Sequence, residues 1–173
     1  ASTITAVTDN TTEAKLCNTL FDDLADRAMI QGSWTSTVTR TDLALTTNTP
    51  SFGFTNEFQL PVDPFCLKVL SIDEDVPGDV AYRIEGDKLL TDSGSIKIRY
   101  IARLTDTEDW DVLLTEAVEV LLASYLALPI AGQRDLAEAL KKEYFDLVSH
   151  NLAIDGQQGS KETIWAGDLI EVR

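Results

Sequence analysis

The sequence predicts an α+β domain: a helical core of one N-terminal helix and a long antiparallel helical hairpin, with an antiparallel β-sheet inserted and an extended C-terminal tail. Three observations point there. Asp106 to Asn151 carries two long helical patterns joined at Pro129-Ile130-Ala131-Gly132. Asn10 to Gly32 carries another, with apolar residues at steps of three and four. Between them, from Trp34 to Arg103, short runs rich in β-branched and aromatic residues alternate with polar ones. Residues 1–154 thus read as one domain with a β insertion over about 34–104, and 155–173 as the tail.

In chain order, Ala1 to Asn10 is polar, threonine-rich and begins without Met, so it reads as a processed or partial terminus. Asn10 with Glu13 resembles a capping box, and Cys17, Leu20, Phe21, Leu24, Ala25 and Ala28 share one face of a helix over about Thr11–Ile30. Gly32 closes it. Thr35 to Arg40 alternates as a strand, extended by Leu43-Ala-Leu45. Phe52, Phe54, Phe58 and Leu60 keep two-residue spacing, which puts them on one strand face and makes Phe52, Phe54 and Phe58 candidates for burial with Ile96, Ile98 and Tyr100. Leu67 to Ile72 is a short strand, followed by an acidic loop from Asp73 to Asp79. Val80 to Ile84 and Lys88 to Thr91 flank Glu85-Gly86-Asp87, a hairpin signature.

The second helix is expected over Glu108–Leu128, capped by Asp106 or Thr107 and ended by Pro129. Leu113, Leu114, Ala117, Val118, Val120, Leu121, Leu122, Tyr125 and Leu126 nearly encircle it, so it should be covered on most sides. Its interior acids and length argue against a membrane span, which needs ~20 mostly apolar residues. The third helix, Gln133–Ala153, carries a stripe of Leu136, Leu140, Tyr144, Leu147, Val148 and Asn151.

Charge and chemistry narrow the function. The chain has 29 Asp and Glu against 14 Lys and Arg, a net charge of −15, which disfavours wrapping DNA or binding anionic membranes. Cys17 and Cys66 lie in apolar patterns and read as free thiols in a reducing compartment. His150 is the one histidine and has no nucleophile at a suggestive spacing, so triad and zinc arrangements are unsupported. No glycine-rich phosphate loop occurs, and the Pro-Gly placement in Asp73–Asp79 does not fit an EF-hand. Neither catalysis nor a cofactor nor a metal is expected. Gly156, Gln157, Gln158 and Gly159 read as a joint leading to an apolar group, Ile164-Trp165 with Leu169, that runs to Arg173.

Several segments stand in a suggestive order. They are Ile4-Thr-Ala-Val with Glu13-Ala-Lys-Leu-Cys-Asn18, then Phe58-Gln-Leu-Pro-Val-Asp63 leading into Cys66-Leu-Lys-Val-Leu70. Tyr82-Arg-Ile-Glu-Gly86, Leu89-Leu-Thr-Asp92 and Ile98-Arg-Tyr-Ile101 come next, and Ala123-Ser-Tyr-Leu-Ala-Leu-Pro-Ile130 and Asp155-Gly-Gln-Gln-Gly159 complete the run. Together they resemble the phage head-to-tail connector (adaptor) family, whose members include proteins called tail tubular protein A. Two features depart from it: family sequences usually have a further short helix before the Ile-Thr segment, and Gly32-Ser-Trp34 stands where an aromatic–proline corner is commoner.

The resemblance implies a structural virion protein at the head–tail interface, assembled in the host cytoplasm. It would form a ring, typically of twelve subunits, that docks under the portal protein, extends the DNA channel without sequence-specific binding, and presents a platform to a downstream tail or nozzle protein. It also implies that the C-terminal segment contacts the portal. The alternatives are a small acidic cation-binding or enzymatic domain, using His150 or the Asp73–Asp79 loop, and an interaction module with no virion role.

Overall fold

The computed structural model describes residues 6, 8–32, 34–73 and 80–158, with side chains as far as 153. They form an α+β fold of three α-helices and two antiparallel sheets. In chain order the elements are α1 (Thr12–Gly32), β1 (Val38–Asp42), β2 (Ala44–Leu45), β3 (Asn56–Gln59), β4 (Cys66–Ile72), β5 (Tyr82–Glu85), β6 (Lys88–Thr91), β7 (Lys97–Ala102), α2 (Val112–Ala131) and α3 (Arg134–Gln158). Sheet A has the order β1-β7-β4, and sheet B the order β2-β3-β6-β5.

Where one sheet was expected, the chain builds two, and the switch falls at Leu43. Its N–H leaves the run and donates to the Ile96 carbonyl (2.9 Å), so β1 pairs with β7 while β2 pairs with β3. Alternation along β7 then defines the layers. Ile98, Tyr100 and Ala102 pack with Phe58, Leu60 and Leu89 of the sheet B side, whereas Ile101 packs among the helices with Leu24, Met29, Leu114 and Leu121. Sheet A is therefore the middle layer between helices and sheet B.

Burial of Phe58, Ile96, Ile98 and Tyr100 agrees with the sequence reading; that of Phe52 and Phe54 does not. Phe52 is 86% exposed and Phe54 half-buried, because Gly53 adopts φ 87 in a bent connection and β3 begins only at Asn56. Two-residue spacing there spans a loop, which the Asp92 carboxylate anchors by accepting from Thr55 N (2.9 Å).

The helix ends also differ. Thr11, not Asn10, caps α1, its Oγ1 accepting from Ala14 N (3.2 Å). At the other end, Gly32 sits under the Trp34 indole, where a Cβ would come within 2.1 Å of the ring. Trp34 Nε1 donates to Ala28 O (2.8 Å) and Asn151 Nδ2 to Gly32 O (2.9 Å), so side chains satisfy carbonyls that the helix end leaves open. Asp106 caps a 3₁₀ turn at Thr107–Asp109, while α2 itself starts later, capped by Asp111 through Leu114 N (2.8 Å). Trp110, between them, stacks on Phe21 with centroids 5.9 Å apart.

Pro129 does not end α2. The helix continues to Ala131, because a proline in the last turn forfeits one hydrogen bond and little helix lies beyond it to be disrupted. Left-handed Gly132 (φ 66) ends it, its N–H returning to Leu128 O (2.9 Å). The α2–α3 hairpin forms as expected, but α3 runs past Ala153 to Gln158.

Candidate interaction surfaces

The residues with chemistry are dispersed. His150 is exposed on α3, beside a shallow hollow lined by Ala139, Lys142, Glu143, Asp146 and Leu147, none of which is the Ser, Thr or Cys that a histidine base would activate. Asp73, at φ 38, accepts from Lys97 N (2.8 Å) and so is tied to the start of β7; Glu74 to Asp79 lie outside the described residues. Among the described residues no three His, Cys, Asp or Glu side chains gather as a metal site.

Cys17 and Cys66 are free and half-buried. Burial pushes the Cys66 thiol from 9.0 up to about 11, despite a backbone hydrogen bond from Lys68. Burial likewise pushes the Tyr144 hydroxyl, which donates to Gln31 Oε1 (2.7 Å), from 10.0 up to about 12. Both hold their protons more tightly folded than unfolded. Their contribution is complete below the unfolded values and is lost as pH rises through the folded ones. The part of the stability against urea that these two groups contribute should therefore be level below pH 9.0 and fall between 9.0 and about 12. Cys66→Ala should flatten the lower part of that fall and Tyr144→Phe the upper part.

Charge is organised locally despite the acidic total. Asp22 and Asp23 are exposed on α1, and Asp26 clamps Arg103 through a two-point ion pair whose Nε–Oδ1 arm is 2.8 Å. Arg103 also lies 4.8 Å over the Phe65 ring. On sheet A, Arg40 faces Arg99 and Asp42 faces Lys97 across β1 and β7, and Arg99 Nε donates to Ser71 Oγ (3.2 Å). That face is mixed in sign.

Exposed apolar surface is the dominant feature. Buried α2 residues Leu114, Ala117, Val118, Leu121, Ser124 and Ala127 form one face against α1, α3 and β7. Of the nine apolar residues read as encircling α2, Leu114, Ala117, Val118 and Leu121 are buried, Val120, Leu122, Tyr125 and Leu126 half-buried and Leu113 exposed. Among the described residues the expected cover therefore holds along the middle of the helix and fails at its two ends. Val112 is 81% exposed, and Leu113, Leu128 and Ile130 are exposed too. On α3, Tyr144, Val148 and Asn151 are buried and Leu140 and Leu147 half-buried, but Leu136 is exposed, with Phe145 and Leu152 beside the stripe.

The length argument against a membrane span fails as well. At 20 residues, α2 is long and apolar enough to cross by length and composition; its packed face and the exposed Glu116 and Glu119 are what mark it as a helix of this core. Sequence reading missed these surface positions singly. The signal was an all-round apolar helix with too few neighbours to cover it.

Of the tail residues, Gly156, Gln157 and Gln158 fall on the last turn of α3 rather than in a joint. Gly159, Ile164, Trp165, Leu169 and Arg173 lie outside the described residues. In comparisons with known proteins, the chain matches no family model and no curated protein.

Proposed function

We propose that this chain is a structural virion protein, a head-to-tail adaptor whose copies form a ring beneath the portal. The ring would extend the DNA channel and offer a platform to the next tail component. The ordered segments that resemble the connector family motivate the reading, and one structural observation carries it furthest. Among the described residues, a domain with two buried clusters exposes apolar side chains at two separate places, the helical hairpin (Val112, Leu128, Ile130, Phe145) and the edges of sheet B (Leu45, Ile84). Heterologous ring contacts use two different surfaces of each subunit, which suits that distribution.

Net charge fits a conduit. A ring of chains carrying −15 each would repel DNA phosphates wherever acidic residues face the lumen, so duplex would slide without adhering. Arg40, Lys97 and Arg99 would have to face elsewhere or stay neutralised by Asp42, Asp73 and their other neighbours.

Size-exclusion chromatography with light scattering, with and without the portal ring, tests the proposal. Co-elution of a multi-copy ring with the portal is expected. Self-association without portal binding would favour a non-virion interaction module. A monomer that ignores the portal would defeat the adaptor reading.

A further inference from the structure

We infer that sheet B is continued from copy to copy, the outer edge of β5 in one chain pairing with the outer edge of β2 in the next. The inference rests on the ring reading and specifies its contact. β2 and β5 are the two edges of sheet B. All four residues of β5 are exposed, as are both residues of β2. Neither strand carries a proline or a lysine; the charges on β5, Arg83 and Glu85, flank the apolar Ile84, and β2 is only two residues long.

A row of side chains shows what each edge lacks. Ile84 faces Leu89, Leu89 faces Phe58, and Phe58 faces Leu45, so the four cross the sheet in register. The inner pair is buried, Leu89 at 0% and Phe58 at 1% exposure. The outer pair is not, with Ile84 at 40% and Leu45 at 55%. Placing Ile84 of one copy opposite Leu45 of the next makes the row continuous across the junction.

Backbone direction agrees. Thr46 N donates inward to Glu57 O (2.8 Å), so by antiparallel alternation Leu45 turns its N–H and C=O to the open side. In the β5–β6 hairpin, Glu85 and Lys88 flank the two-residue turn as its closing hydrogen-bonded pair, so Ile84 also turns its backbone groups outward. Ile84 and Leu45 can thus form a hydrogen-bonded pair. Because all neighbours in this four-stranded sheet are antiparallel, its two edges run in opposite directions, and head-to-tail copies meet with antiparallel polarity.

Length and charge agree too. In this register Glu85 falls opposite Ala44, and the junction stops just where Leu43 turns to Ile96. Arg83 falls opposite Thr46, whose hydroxyl bonds the Glu57 carboxylate (3.0 Å), so a guanidinium arrives beside an acid.

Paired cysteines test this in the full chain. Leu45→Cys with Ile84→Cys, oxidised under assembly conditions, should give a ladder of covalent oligomers, while wild type (with Cys17 and Cys66) and each single variant should not. A covalent dimer from Ile84→Cys alone would mean two-fold β5–β5 pairing and would overturn the inference. Ile84→Pro removes a donor that points outward, so circular dichroism should be unchanged while the ring is lost; Ile84→Lys, which keeps the donor, is the second variant and should also lose the ring. A ring that persists in these variants, with no ladder from the double cysteine chain, would overturn the edge pairing and leave the adaptor reading standing. Chains that stay monomeric at every concentration, with or without the portal ring, would overturn both.

Discussion

Leu121→Ala is expected to lower the unfolding free energy by ~2–5 kcal/mol, among the larger effects available to one core truncation. Leu121 is 1% exposed in a cluster that draws Leu24, Ala28 and Met29 from α1, Ile101 from β7, and Tyr144 and Val148 from α3. Those neighbours belong to separate elements, each held by its own backbone hydrogen bonds. They cannot all move in to fill the space of a lost isobutyl group, so a cavity term adds to the transfer term. Urea denaturation with an unchanged slope would show the loss as a shifted midpoint. A change below about half a kcal/mol would contradict the placement of α2 at the centre of the helical layer.

That placement was legible in the sequence, and the reason is periodicity. Leu114, Ala117, Val118 and Leu121 recur at helical spacing over several turns, and so do Leu24, Ala25 and Ala28 in α1. Repetition makes such a signal robust against any one residue. The β5–β6 hairpin was legible for a different reason: Gly86 stands at its tip with φ 62, a conformation that its residue type favours. Where a single backbone angle decided the outcome, the sequence was silent. Gly53, at φ 87, breaks the run of phenylalanines; a glycine permits that bend, but the two-residue spacing of Phe52 and Phe54 around it reads equally as a strand. Leu43 divides one expected sheet into two by turning its N–H to Ile96.

Capping failed similarly. Asn10, Asp106 and Thr107 have the chemistry of caps, but Thr11 and Asp111, with equivalent chemistry, hold the positions from which a side chain reaches the right N–H. For the surfaces, the apolar excess of α2 could be read but not its location. The row from Ile84 to Leu45 requires three strand registers and cannot be seen in a linear chain.

Removing residues 159–173 is expected to abolish attachment to the portal while leaving the melting temperature unchanged. The proposal is that this segment docks on portal subunits with Trp165 as its anchor, the indole supplying a large apolar area and one N–H to a partner pocket. Because α3 remains helical to Gln158, the cut should come after that residue and spare Gly156, Gln157 and Gln158. The competing arrangement returns the segment to the chain's own hairpin, where Phe145 (49% exposed) and Leu152 (45% exposed) offer apolar cover. The two arrangements separate cleanly in this experiment. A strap that covers Phe145 and Leu152 stabilises the isolated chain, so its removal would lower the melting temperature, and the truncated chain would still assemble on portals. A docking segment contributes nothing to the isolated chain and everything to attachment. Trp165→Ala in the full-length chain then refines the assignment: under docking it should reproduce most of the attachment loss, because a buried Trp anchor typically carries at least ~2 kcal/mol of an interface, a thirtyfold or greater weakening.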